Sequence, residues 1–167
     1  MNNIPNKILS HEQIQHKVRR IAWQIYETFA HEEEIILAGI APEGSKFADK
    51  LGNILEEITT IKITICHIKI NKKNPFEAIE TSIPEEEYQN KAVVLIDDVL
   101  NSGSTLVHCV KHFLQVPMKK LKTAVFVNRN HKLYPVKADF KGISLSTSLQ
   151  EHITVDFNGE DDAVYLQ

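Results

Sequence analysis

Cysteine is scarce in this 167-residue chain. Cys66 and Cys109 sit in apolar patterns and no CxxC spacing occurs, so a reducing cytoplasm is the expected compartment. No run approaches the ~18 apolar residues that a membrane span needs. The opening residues, Met1 to Pro5, lack the basic-then-apolar order of a signal peptide, so none is expected. Strong charge of one sign is missing too. Lys and Arg number 19 against 22 Asp and Glu, a net charge of −3 that argues against a dominant polyanion-binding face but leaves room for a local one. No internal repeat, linker or low-complexity segment interrupts the chain. What remains, 25% charged and 43% hydrophobic, is ordinary for a globular protein, and the length predicts one domain over residues 1–167.

The informative stretch runs from Val93 to Thr105: Val-Val-Leu-Ile-Asp-Asp-Val-Leu-Asn-Ser-Gly-Ser-Thr. Its four leading apolar residues suit a strand buried on both faces. Asp97 and Asp98 fall where that strand should end. Asn101, Ser102 and Gly103 make a turn, and Ser104 and Thr105 open a run with helical spacing (Leu106, Val107, Val110, Phe113, Leu114). A helix start has unpaired N–H groups and the positive end of the dipole, so this turn can hold a phosphate. Hydroxyls at Ser102, Ser104 and Thr105 add donors, and Gly103 permits close backbone approach. The two carboxylates would repel a phosphate unless they meet hydroxyl groups or a metal nearby. A ribose 5-phosphate meets both demands. Spacing alone leaves a second reading open, an α/β crossover whose acids merely cap a helix.

Upstream, Ser10 and Gln13 read as a capping box, followed at helical spacing by Ile14, Val18, Ile21, Ala22, Ile25, Tyr26 and Phe29. Ile35–Ile40 predicts a short strand, Ala41–Ser45 a turn, and Phe47, Leu51, Ile54, Leu55 and Ile58 a second helix. From Ile61 the chain alternates through Ile63 and Ile65, then changes phase to Ile68 and Ile70, which predicts a bulge near Cys66 and His67. Residues 71–90 are polar, acidic and broken by Pro75 and Pro84, so they are expected to form a lid. The acidic runs Glu32–Glu34 and Glu85–Glu87 read as solvated surface. Thr123–Asn128 predicts a buried strand, and Val136–Phe140, Ile153–Phe157 and Ala163–Leu166 short β segments. Strands alternating with helices imply an α/β fold on a mostly parallel sheet, with ligands beyond the carboxyl ends of its strands. His108 and His112 have the spacing to share a metal on one helix face, but no third ligand is in evidence.

Val93–Thr105 resembles the 5-phosphoribosyl-1-pyrophosphate (PRPP) signature of the type I phosphoribosyltransferases. The likeness continues through Arg129-Asn130-His131-Lys132, Pro135, Lys137-Ala138-Asp139-Phe140, Gly142 and Ser146-Thr147-Ser148. These segments look like the C-terminal half of the pyrimidine-operon attenuator proteins that also act as uracil phosphoribosyltransferases, and the likeness covers nearly the whole chain. It implies the type I phosphoribosyltransferase fold: a central sheet flanked by helices, a small hood from the N- and C-terminal segments, and 71–90 as a mobile lid. The activity implied is transfer of phosphoribose from PRPP to a nucleobase, uracil first, giving a nucleoside monophosphate and pyrophosphate. Asp97 and Asp98 would hold the ribose hydroxyls and favour a cationic ring. Asn101, Ser102, Gly103, Ser104 and Thr105 would hold the 5-phosphate, and Ala41, Pro42, Glu43 and Gly44 would meet the pyrophosphate. Mg²⁺, partly hydrated and bridging phosphate oxygens, would neutralise that leaving group, with no side-chain ligand set named. Lys137-Ala138-Asp139-Phe140 also looks like the base-site segment of the hypoxanthine-guanine enzymes. That implies Lys137 and Phe140 beside the base, with Ile153 and Thr154 at the ring. A homodimer or higher homo-oligomer is the family expectation.

Three positions depart from the attenuator pattern. Glu43 stands where basic residues are usual and would repel the leaving group. Ser104 stands where many relatives carry Arg. Residues 71–90 offer Lys72 and Lys73 but no Arg to grip a phosphate at two points. Phosphoribose binding is thus better supported than turnover, and the alternative is a catalytically weak, nucleotide-binding regulator of pyrimidine genes acting on leader RNA. RNA binding needs a basic face. The clusters available are Lys119, Lys120 and Lys122, and Arg129, His131, Lys132, Lys137 and Lys141, in a chain acidic overall.

Overall fold

A computed structural model describes residues 5–167. The expectation about a signal peptide concerns mainly residues 1–4 and lies outside the described residues. The Ser10 hydroxyl accepts from Gln13 N–H, and Ser10 N–H donates to Gln13 Oε1 at 2.9 Å. Helix α1 (His11–Phe29) therefore opens on the reciprocal cap its spacing predicts, and its apolar stripe, Ile14 to Phe29, is fully buried except for half-buried Tyr26.

Six strands form the main sheet, in the order β4-β3-β2-β5-β6-β7. They are β2 (Glu34–Ile40), β3 (Lys62–Lys69), β4 (Glu80–Thr81), β5 (Ala92–Leu100), β6 (Lys120–Arg129) and β7 (Phe140–Leu145). All neighbours are parallel except β4, which runs antiparallel to β3. Helices α1 and α2 (Glu43–Ile58) cover one face, over Ile35, Leu37 and Phe126. The short α3 (Glu85–Tyr88) and α4 (Ser104–Phe113) cover the other, over Ile36, Ala38, Val93 and Leu95. The central strands are thus coated on both sides, as their unbroken apolar runs require. Among the described residues no helix is long and apolar enough to cross a membrane.

A second, antiparallel sheet, β1-β9-β8, joins β1 (Asn6–Leu9) to β8 (Ile153–Asp156) and β9 (Ala163–Leu166). This is the hood of N- and C-terminal segments. It is tied firmly to the body. Phe157 stacks on Phe47 at 5.3 Å between ring centres and meets Phe126 edge-on at 5.5 Å. Fully buried Asp162 accepts from Lys50 Nζ at 2.8 Å, Gln15 Nε2 at 2.7 Å and Gly159 N–H at 2.8 Å. Burial works to raise the Asp162 carboxyl, yet those donors together hold it below the ordinary carboxylate range.

Three sequence expectations need correction. No bulge interrupts β3, which pairs with β2 in unbroken register from Glu34↔Lys62 to Ile40↔Ile68. The phase change has another cause: Ile63 and Ile65 pack on the α2 side, while Cys66 and Ile68 pack on the opposite face. The segment at Val136–Phe140 is not a strand; β7 begins at Phe140. Its N–H groups are used elsewhere, Val136 donating to Tyr134 O at 2.8 Å and Asp139 to Thr123 O at 3.0 Å. Finally, 71–90 is not patternless. Thr81 and Glu80 pair with Ile68 and Lys69, and Tyr88 is buried against Phe113. Residues 71–79 form the irregular part, folded on themselves by Asn71, whose Oδ1 accepts from Lys73 and Asn74 N–H, and touching the body through Lys72, Phe76 and Ile79.

Candidate active site

Strand β5 carries its apolar run to Ile96 and then delivers both acids at its carboxyl end. Asp97 is only 4% exposed, whereas Asp98 is half-buried. Asp97 Oδ1 accepts Asp98 N–H at 2.9 Å and lies 3.7 Å from Lys72 Nζ, which reaches over from residues 71–79. Burial, then the charge of Asp98, push the Asp97 carboxyl well above its ordinary range, with Lys72 opposing. Beneath it, burial pushes the Cys109 thiol up to about 12, and the Asp97 charge adds to that.

The turn that follows is braced from outside. Ser102 O accepts from Leu133 N–H at 2.8 Å and from Tyr134 N–H at 3.2 Å. Ser102 Oγ accepts Ser104 N–H at 3.2 Å. Gly103 sits at φ +87°, and a Cβ there would stand 2.5 Å from Val136 Cγ1, so no other residue fits without strain. As N-cap, Gly103 has no side chain to cap α4; Ser102 Oγ takes the Ser104 N–H, which leaves those of Thr105 and Leu106 for a ligand.

A second helix start adjoins the acids. Pro42 precedes α2 and makes no side-chain cap. A Cβ on Gly44 would lie 2.8 Å from Ile96 O and 3.0 Å from Asp97 Cα, so the first turn of α2 rests directly on the end of β5. Glu43 behaves differently from its sequence reading. One carboxylate oxygen takes Lys46 Nζ at 2.7 Å and the other takes Phe157 N–H at 3.0 Å. Its charge is committed to the hood instead of standing free to repel a leaving group.

Lys72, Asp97 through Leu106 and Ile153 together line a cleft of about 200 Å³. The acids, the phosphate-type turn and one of the four expected base-site residues are thus brought together. The other three are not. Phe140 is 7% exposed and belongs to the core beside Phe126. Thr154 points away from Ile153, as strand alternation dictates, and is exposed. Lys137 has an 80% exposed side chain paired with Asp139 at 3.5 Å, and its carbonyl bonds to the Thr123 hydroxyl. Thr123 pairs with Leu95, two residues before Asp97 on β5, and Lys137 is not among the residues that line the cleft. A roomier hollow of about 360 Å³ lies between Pro75–Ile79, the α4 residues His108, Lys111 and His112, and Gln115 just beyond that helix. It lacks both acids and turn. There, His108 meets Phe76 edge-on and His112 Nε2 lies 3.4 Å from Tyr88 Oη.

One site residue escaped sequence reasoning. Arg129, at the end of β6, is 5% exposed, and its Nη1 donates to Asn101 Oδ1 at 3.0 Å. The available signal was its place: a cation at the carboxyl end of the strand, just after the apolar run Ala124–Val127.

An acid pair set beside two uncapped helix starts can hold a hydroxylated sugar between two anionic groups. Comparison with known proteins agrees in kind. Residues 6–158 match the phosphoribosyl transferase domain family. The chain is 32% identical to the "Bifunctional protein PyrR" of Clostridium acetobutylicum, over 98% of each. It is 32% identical to the protein of the same name from Streptomyces coelicolor, over 95% of this chain and 88% of that one. Among solved structures, the hypoxanthine phosphoribosyltransferase of Trypanosoma cruzi in complex with the product IMP shares the fold with a TM-score of 0.79. That match spans 100% of this chain and 97% of the other at 15% identity. The hypoxanthine-guanine phosphoribosyltransferase of Bacillus anthracis matches with a TM-score of 0.72 at 23% identity, over 86% of this chain and 84% of that one.

Proposed function

This chain belongs to the phosphoribosyl transferase family, and from that premise we propose that it moves phosphoribose from PRPP to a nucleobase, uracil by preference. The bond from ribose C1 to the pyrophosphate oxygen breaks, a bond from C1 to a base nitrogen forms, and that nitrogen loses its proton. Charge develops on the ring as an oxocarbenium ion, so rate comes from positioning and electrostatics. Asp98, the more exposed acid, takes the ribose hydroxyls, with Asp97 behind it. Asn101 to Thr105 receive the 5-phosphate at the start of α4. Ala41 to Gly44 receive the pyrophosphate through backbone N–H groups, and Ile153 packs on the base. A half-buried carboxylate at an anion site suits Mg²⁺, which takes one or two carboxylates along with substrate phosphates. Asp98 would help hold it, and the ion would supply positive charge against the departing pyrophosphate. Residues 1–167 act as one unit, with 71–79 as the lid, in a cytoplasmic homo-oligomer.

The observation that carries this reading is the single cleft shared by Asp97, Asp98 and the turn at Gly103. Pyrophosphate release with PRPP and a panel of bases tests it, and uracil should give the highest kcat/KM. No release with any base would refute the enzyme reading. The relatives named bifunctional favour a second role, regulation of pyrimidine genes through leader RNA. Binding to such RNA, weakening steeply with salt, would establish it.

A further inference from the structure

We propose that Arg129 is a positioning residue that links the phosphate end of the site to its base end, an inference that rests on the phosphoribosyl-transfer reading. Its guanidinium makes contacts on both sides. Nη1 donates to Asn101 Oδ1 at 3.0 Å, in the turn after the acids. Nε and Nη2 donate to Thr147 Oγ1 at 3.0 and 2.7 Å, and Nη2 also reaches Ser148 O at 3.1 Å and Glu151 O at 2.7 Å. Those three residues lead into β8, where Ile153 closes the cleft. A guanidinium is a rigid planar fork, so displacing one set of acceptors displaces the other.

Charge strengthens the case. Every hydrogen-bond acceptor is neutral: Glu151 offers its main-chain carbonyl and spends its carboxylate on Ser148 N–H at 2.6 Å, from where it feels the Arg129 charge without bonding to it. With no anion among its hydrogen-bond partners, the buried guanidinium is only partly compensated, by a carboxylate one step removed. A phosphate seated in the turn beside Asn101 supplies the missing negative charge. Because Arg129 occupies Asn101 Oδ1, the amide group left for a ligand is a donor, the polarity a phosphate requires. An occupied turn therefore stiffens the segment under the hood, and that segment in turn holds the turn.

The signature of such a strut is a cross-effect, in which the hood end is perturbed and the phosphate end is read. Thr147→Val keeps the shape of the side chain and removes the acceptor for Nε and Nη2. Calorimetric titration with ribose 5-phosphate should show binding about fivefold weaker than wild type, at the lower end of the range for coupled sites, measured well below a melting temperature that falls by a few degrees because two donors of the buried guanidinium lose their acceptor. Arg129→Lys retains the charge but not the fork. It should weaken ribose 5-phosphate at least as much, and adding Thr147→Val to it should cost nothing further. Unchanged ribose 5-phosphate affinity in Thr147→Val, or additive losses in the double variant, overturns the strut. Should Arg129→Lys fail to fold, Thr147→Val alone decides. Wild-type protein that binds neither ribose 5-phosphate nor UMP would instead bring down the phosphoribosyl-transfer reading itself, a result distinct from wild-type binding without the cross-effect.

Discussion

Glu43→Lys separates two accounts of the pyrophosphate turn. By sequence alone the acid repels the leaving group, and a lysine should raise turnover. In the structure both carboxylate oxygens are engaged, one by Lys46 and one by Phe157 N–H. A hydrogen bond to a charged acceptor is worth about 1.5–3 kcal/mol, and the half-exposed Lys46 pair adds only about 0.3–0.5 kcal/mol. Replacing the acid by a cation loses both and places like charges together, for a total near 2–3 kcal/mol. For a chain of this size, that lowers the melting temperature by roughly 5–10 °C. The loss falls at the junction of the first turn of α2 with the hood, so the turn also drifts from Asp97. A displacement approaching 1 Å costs up to about a hundredfold in rate. Glu43→Gln retains an acceptor for Phe157 N–H and should cost less than about 1 kcal/mol. Thermal melting and pyrophosphate release, measured on both variants, check the reasoning. Faster turnover in Glu43→Lys at an unchanged melting temperature would refute it, since the carboxylate would then be free and facing the substrate.

Two further outcomes follow from the same geometry. Burial and the charge of Asp98 raise the Asp97 carboxyl, so the folded state prefers it protonated. Its contribution to stability is full below the ordinary carboxylate pKa and is lost as pH rises through the raised value. Asp97→Asn should flatten that pH dependence and raise the melting temperature at neutral pH by roughly 2–4 °C, the shift about 1 kcal/mol makes in a chain of this size. With Asp98→Asn added, ribose 5-phosphate affinity should fall while the melting transition stays cooperative, and equal affinity in the double variant would count against the acids' role. Gly103→Ala combines a left-handed backbone, costing about 1–2 kcal/mol, with a contact to Val136 that overpacks by about 1–3 kcal/mol. Urea unfolding should record a loss of about 2–5 kcal/mol, and a loss below about 1 kcal/mol would mean the turn adopts another shape.

The elements easiest to read were those with a long period or a cap. Ser10 and Gln13 announced α1, and the apolar run before Asp97 announced β5. Local pattern failed where tertiary contact decides. The phase change in β3 imitated a bulge, because its two ends are covered on opposite faces. Tyr88 hid among glutamates, yet its burial anchors the second half of the expected lid. In the site, the acids and the turn were legible because their chemistry depends on residue type in sequence. Lys137 and Phe140 misled because position relative to the carboxyl edge depends on where β7 begins, and that is set by backbone bonds to Thr123. Arg129 left little trace because its partners come from segments remote in sequence.

The anchoring of the hood has a consequence for traffic. The roof is pinned through Asp162, Glu43 and Phe157, whose ring stacks on Phe47 and meets Phe126 edge-on, and such anchors oppose tilting. On the phosphoribosyl-transfer reading, a sugar phosphate would enter and leave sideways, past the flank where Lys72 Nζ lies 3.7 Å from Asp97 Oδ1, and that lysine would act as the latch of a lateral doorway.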